Sequence, residues 1–197
     1  MNFVTRSAML AVALGAISIT AIAQNTAPSP VINQHKENQQ DRIGNGVENG
    51  SLTAGEASRL EKKETRINHE ENRMKSDGHF TAAERARVRN QQGHLSKQIY
   101  NQKHDAQVQK VNPKSEVGER QRMQQERIGQ GIKSGSLTPA EAARMENQEK
   151  HVNREVARQR AANGGTLTPA ERARVNYQQN KVSHHIYHQK HDAQQRH

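Results

Sequence analysis

The 197-residue chain has no cysteine and no tryptophan, and only three tyrosines, two phenylalanines and five prolines. Without cysteine there is no disulfide staple, thiol nucleophile, thiolate metal site or lipid-modified cysteine. Aromatic residues make up 3% of the chain and hydrophobic residues 31%, too little for a large aromatic core. Packing must come from aliphatic stripes, and elongated helices, alone or as a homodimer, suit that composition best. Long apolar runs are also scarce. Beyond residue 22 nothing approaches the ~20 residues needed to cross a bilayer, so the mature chain is expected to have no transmembrane helix.

The single apolar run, Ala8 to Ile22, follows Arg6 and closes in Ala21-Ile22-Ala23. A basic start, an apolar middle and a small-x-small end form the pattern of a secretory signal peptide. Residues 1–23 therefore read as a leader removed after Ala23, and the product as periplasmic or secreted. The formal charge of +10 would suggest nucleic acid in a cytosolic protein. Export argues against that partner, as does the lack of a dense Arg/Lys block with interleaved aromatics. Anionic envelope components, or unfolded and envelope proteins, are the expected partners.

Past the leader the dominant signal is repetition. Gln39-Gln40-Asp41-Arg42-Ile43-Gly44 returns as Gln124-Gln125-Glu126-Arg127-Ile128-Gly129. Glu84-Arg85-Ala86-Arg87-Val88 returns as Glu171-Arg172-Ala173-Arg174-Val175, and Gln102-Lys103-His104-Asp105-Ala106-Gln107 as Gln189-Lys190-His191-Asp192-Ala193-Gln194. The sequence reads as a duplication.

Within each copy a smaller motif occurs twice. It is seen in Gly50-Ser51-Leu52-Thr53-Ala54-Gly55-Glu56 and again at Gly78 to Glu84, Gly135 to Glu141 and Gly165 to Glu171. Glycine suits the left-handed residue that ends a helix. Thr53, Thr81, Thr138 and Thr168 can cap the next helix, with Glu56, Glu84, Glu141 and Glu171 reaching back to complete a capping box. Pro139 and Pro169 fall at the first helical position, where a missing N–H costs nothing.

Between these junctions Leu60, Ile67 and Met74 keep heptad spacing, as do Met145 and Val152. Val88, Leu95 and Ile99 form a second stripe that recurs as Val175, Val182 and Ile186. Such stripes predict helix-on-helix packing in an all-α fold. The expected helices cover 38–49, 53–76, 81–109, 117–134, 138–162 and 168–195. They make two tandem three-helix units, 38–109 and 117–197, joined by capped tight turns. Residues 24–37 read as a flexible segment and 110–116 as a linker.

The four Leu/Phe-Thr-x-x-Glu stretches resemble the Leu-Thr-x-x-Gln hallmark of the periplasmic Spy and CpxP group. Glu stands here for Gln, and Phe80 for one Leu. That resemblance implies a small exported helical protein with chaperone or envelope-stress activity and metal-binding relatives. The stretches are also similar to the helical hairpins called SHOCT domains, which implies an oligomerising or tethering spacer.

Three further patterns bear on chemistry. A relic EF-hand centred on Gly78 would use Asp77, Thr81 and Glu84, but Arg73 and Lys75 occupy ligand positions and disfavour calcium. His184, His188 and His191 follow i, i+4, i+7 spacing beside His185, a pattern that could grip zinc, copper or nickel. Only His191 has a histidine counterpart in the first copy. Third, both copies end in Ile-Tyr-x-x-Lys-His-Asp. Its shared residues, Tyr100, Lys103, His104 and Asp105 with Tyr187, Lys190, His191 and Asp192, form a candidate recognition patch. No nucleophile–base spacing or phosphate-cradling loop accompanies them, so no enzyme is expected. The leading expectation is a non-catalytic binding protein that uses its apolar stripes together with surrounding Arg, Lys and Gln. The alternatives are a histidine-based metal binder and a structural spacer.

Overall fold

Threonine and glutamate three residues apart set four of the helix starts. The backbone N–H groups of Thr53, Thr81, Thr138 and Thr168 donate to Glu56, Glu84, Glu141 and Glu171 at 2.9, 2.8, 2.8 and 2.9 Å. Each threonine hydroxyl accepts from the glutamate N–H in return, which satisfies donors that a helix start leaves open. Gly50, Gly78, Gly135 and Gly165 precede these boxes with φ of +73°, +81°, +75° and +93°. Only glycine occupies that left-handed region without steric cost.

The computed structural model describes residues 29–112 and 114–196. The expected leader, residues 24–28 of the segment 24–37, Pro113 and His197 lie outside the described residues. Six helices follow in order: α1 Pro30–Glu48, α2 Ala54–Met74, α3 Ala82–Lys103, α4 Glu116–Ser134, α5 Pro139–Ala162 and α6 Pro169–Lys190. Among the described residues there is no strand, and no helix is long and apolar enough to cross a membrane.

Three helix boundaries differ from the sequence expectation by several residues, for identifiable reasons. α1 begins at Pro30, inside the segment read as flexible, because proline suits a first helical position and Ile32 is buried. α3 and α6 stop at Lys103 and Lys190, short of 109 and 195. Asp105 and Asp192 accept from the N–H of Gln107 and Gln194 at 2.8 and 2.9 Å, which turns the chain. It then runs back to the first junction of its own unit. The N–H of Gln109 donates to Gly50 at 2.9 Å, and that of Arg196 to Gly135 at 3.0 Å.

Helices α1–α3 and α4–α6 make matching internal contacts, but the broadest packing lies between the two sets, α1 on α4 and α2 on α5. Each of these crossings joins residues that correspond in the repeat. Gly44 meets Gly129 where α1 crosses α4, close enough that a Cβ on either would lie within 3 Å of the other's carbonyl oxygen. Ser58 Oγ donates to the carbonyl of Ala143, 3.0 Å away, where α2 passes α5. Leu52 and Leu137 fold back over Gly46 and Gly131 and are fully buried. The apolar stripes at Leu60, Ile67, Val88, Leu95 and Ile99 are thus covered within the chain, as are their counterparts.

Candidate functional site

The histidine group on α6 divides. His184 and His188 bring their Nε2 atoms to 3.0 Å on an exposed face. His191 does not join them. Its Nδ1 lies 2.7 Å from the Tyr187 carbonyl, and its ring stacks on Tyr187 at 4.3 Å. Among the described residues no three His, Cys, Asp or Glu side chains are placed to hold a metal, so His184, His188 and His191 do not come together as one ligand set. The reason is the end of α6 at Lys190, which makes His191 the C-cap residue rather than the next position on the helical face.

The repeated Tyr–Lys–His–Asp ending also separates into two roles. Tyr100 and Tyr187 are exposed, and each stacks with the following histidine, His104 or His191. Lys103 and Lys190 turn inward. Burial, together with the nearby guanidinium of Arg42 or Arg127, lowers both ammonium pKa values, and Lys190 Nζ donates to the Arg127 carbonyl at 3.3 Å. Asp105 and Asp192 are consumed by the turns, each also accepting from Gln102 or Gln189. Only Tyr and His of the expected patch face outward.

The principal polar assembly is one that sequence reasoning missed: a buried glutamine and glutamate network, built twice. Gln39 Nε2 donates to the Gln92 carbonyl and to Ser96 Oγ at 2.7 and 2.8 Å, and Gln124 does the same to Gln179 and Ser183 at 2.7 and 2.9 Å. Gln40 donates to Glu61 at 3.1 Å and Gln125 to Glu146 at 3.2 Å. One helical turn further on, Glu64 and Glu149 are fully buried, and neither oxygen of either one has a hydrogen-bond partner in the protein.

Burial pushes the carboxyl groups of Glu61, Glu146 and Glu149 up to about 8 and that of Glu64 to about 7. The Glu61–Glu64 and Glu146–Glu149 neighbours add like charge, and the amides of Gln40 and Gln125 oppose the rise at Glu61 and Glu146. Glu71 behaves differently. Burial raises it, but Lys75 and Lys36 outweigh that and hold it below the usual carboxylate value, with Lys36 Nζ at 3.0 Å. At the corresponding places the second unit has Gln121 and Val156, so charge pair and uncharged pair replace one another together. The legible trace was positional: Glu64 and Glu71 each sit four residues after an apolar stripe residue, on the same helical face.

What remains outside is basic. Among the described residues seven glutamates, at 56, 61, 64, 71, 141, 146 and 149, are buried, whereas Lys36 is the one buried Lys or Arg. Large exposed hydrophobics are scattered, at Val31, Tyr100, Val108, Met123, Tyr177 and Tyr187. The apolar stripes expected to contribute to a binding surface form the core instead. Comparison with protein-family models, curated proteins and solved structures finds no match.

Proposed function

We propose that this is an exported, non-catalytic protein whose basic helical surface binds anionic components of the cell envelope. The supporting observation is the segregation of charge. Seven of the twenty acidic residues are buried, four of them at sites where burial favours the neutral form, whereas among the described residues one Lys or Arg is buried, so Lys and Arg dominate the exterior. With those carboxyls neutral, the molecule carries up to four more positive charges than the formal +10. A field of that sign draws anions and is screened by salt. A chaperone-type client surface is favoured less, because the apolar residues it would use are covered.

Sedimentation with phosphatidylglycerol vesicles should show binding at low ionic strength that is lost by ~0.5 M salt, where the Debye length is only a few ångströms. Phosphatidylcholine vesicles should not bind. Equal recovery with both lipids, or with neither, would refute the reading.

A metal-binding role is supported by one observation, the 3.0 Å approach of His184 and His188. Two imidazoles one helical turn apart can chelate zinc, copper or nickel while water fills the remaining positions. Calorimetric titration should lose its heat in a His184→Ala, His188→Ala double variant and keep it in His191→Ala. Indistinguishable titrations of all three proteins would end this second reading.

A further inference from the structure

Where the start of α2 faces the middle of α5, four cations converge without a counter-charge. Arg59, Lys110, Lys150 and Arg154 line an open groove of about 340 Å³, and no aspartate or glutamate lines it. Gly55, in the first turn of α2, and Asn153 complete its floor. Among the described residues none of the four cations forms an ion pair. Like charges that line one groove are better accommodated when an anion occupies it.

The repeat provides an internal comparison. Thr65 and His69 of α2 correspond to Lys150 and Arg154 of α5, and Ala140 corresponds to Gly55. Arg59 is matched by Arg144, but the scaffold tolerates uncharged or weakly charged residues at the places of Lys150 and Arg154, so packing does not require those two cations. Two guanidinium forks, two ammonium groups and the positive end of α2 suit a tetrahedral oxyanion with several acceptor oxygens better than a single carboxylate.

We propose that this groove is a binding site for a phosphate group, carried on a lipid headgroup or free in solution. The proposal rests on the anionic-partner reading above and narrows it to one place. The test compares the full chain with two triple variants. One is Arg59→Gln, Lys150→Gln, Arg154→Gln; the other removes equal charge from α3 and α6, as Arg89→Gln, Lys97→Gln, Lys181→Gln. Each is titrated with inorganic phosphate while the backbone amides of Gly55 and Lys150 are followed by NMR, and each is sedimented with phosphatidylglycerol vesicles.

Affinity should fall roughly tenfold or more in the groove variant and less than about threefold in the control. Arg154→Gln alone, at an exposed position, should show part of the loss with an unchanged thermal midpoint. Amide shifts with free phosphate but no groove-dependent vesicle binding would support the site and assign it to a soluble phosphate. Groove-dependent vesicle binding alone would support it and assign a headgroup. Equal loss in both triple variants would overturn the groove while leaving the general basic surface standing. Failure of the unaltered chain to bind either probe would overturn both readings.

Discussion

Replacing Glu149 with Gln should raise the unfolding free energy at pH 7 by about 3 kcal/mol and change it little at pH 4.5. The carboxyl is fully buried, neither oxygen has a partner, and burial pushes its pKa up to about 8. An unfolded chain ionises that group near 4.5. Between 4.5 and about 8 the unfolded state therefore holds fewer protons than the folded state, and stability must fall as pH rises. Below the unfolded value both states are protonated and the group contributes no pH dependence. Gln retains the shape of the neutral acid and has no charge to expose, so the variant should lose this part of the slope.

Glu61 and Glu146 should respond alike, since their values also stand at about 8, and Glu64 less, at about 7. The groups that modulate them can be named from each packed element. Gln40, Lys36 and Glu37 act from α1, Gln125 and Arg127 from α4, and Glu146 of α5 acts on Glu61 of α2. Arg196 reaches in from the C-terminal segment, where it also pairs with Glu37. Glu71 works in the opposite sense. Held low by Lys75 and Lys36 against its burial, it contributes stability above 4.5 that is lost as pH falls through its folded value. The protein should be most stable in mildly acidic solution. Urea midpoints from pH 4.5 to 8 check this, and a Glu149→Gln curve parallel to the unaltered one at every pH would falsify it.

The all-helical class was legible because the capping threonines and the heptad stripes each point to helices on their own. The four capped helix starts were sharper than the ends of α3 and α6 for a physical reason. A capping box is written in two residues, whereas the stop at Lys103 depends on an Asp105 side chain that serves equally well inside a helix or in a turn. Ile32 shows a different limit. Val31-Ile32 followed by Asn, Gln and His reads as a tail, and Ile32 gains its burial from distant residues such as Gln92, whose side chain donates to its carbonyl at 3.0 Å. The His184–His188 contact was readable from i, i+4 spacing, while the loss of His191 required knowing where α6 ends. The buried glutamates were hidden by chemistry: a charged residue on a helix is ordinarily solvated, and only the packing of α2 on α5 takes these from water.

Gly44→Ala and Gly129→Ala should each destabilise the protein by about 2 kcal/mol, although both lie inside helices where alanine is intrinsically favoured by roughly 1 kcal/mol. A Cβ at Gly44 would sit 2.9 Å from the Gly129 carbonyl oxygen, and one at Gly129 would sit 2.8 Å from that of Gly44. Backbone cannot step aside as a flexible side chain can, so α1 and α4 must separate. Gly93 supplies the contrast: an added Cβ there meets nothing within 4 Å, and Gly93→Ala should stabilise by about 0.5–1 kcal/mol. The same separation should reach the carboxyl network. Gln40 and Gln125 stand one helical turn before Gly44 and Gly129, on the same faces, and hold Glu61 and Glu146. Letting water into that seam lowers the cost of ionising both glutamates and brings their pKa values back toward 4.5. Gly44→Ala should therefore lower stability in acid more than at pH 8 and flatten its pH dependence, whereas a loss equal at both pH values would separate the glycine crossing from the buried acids.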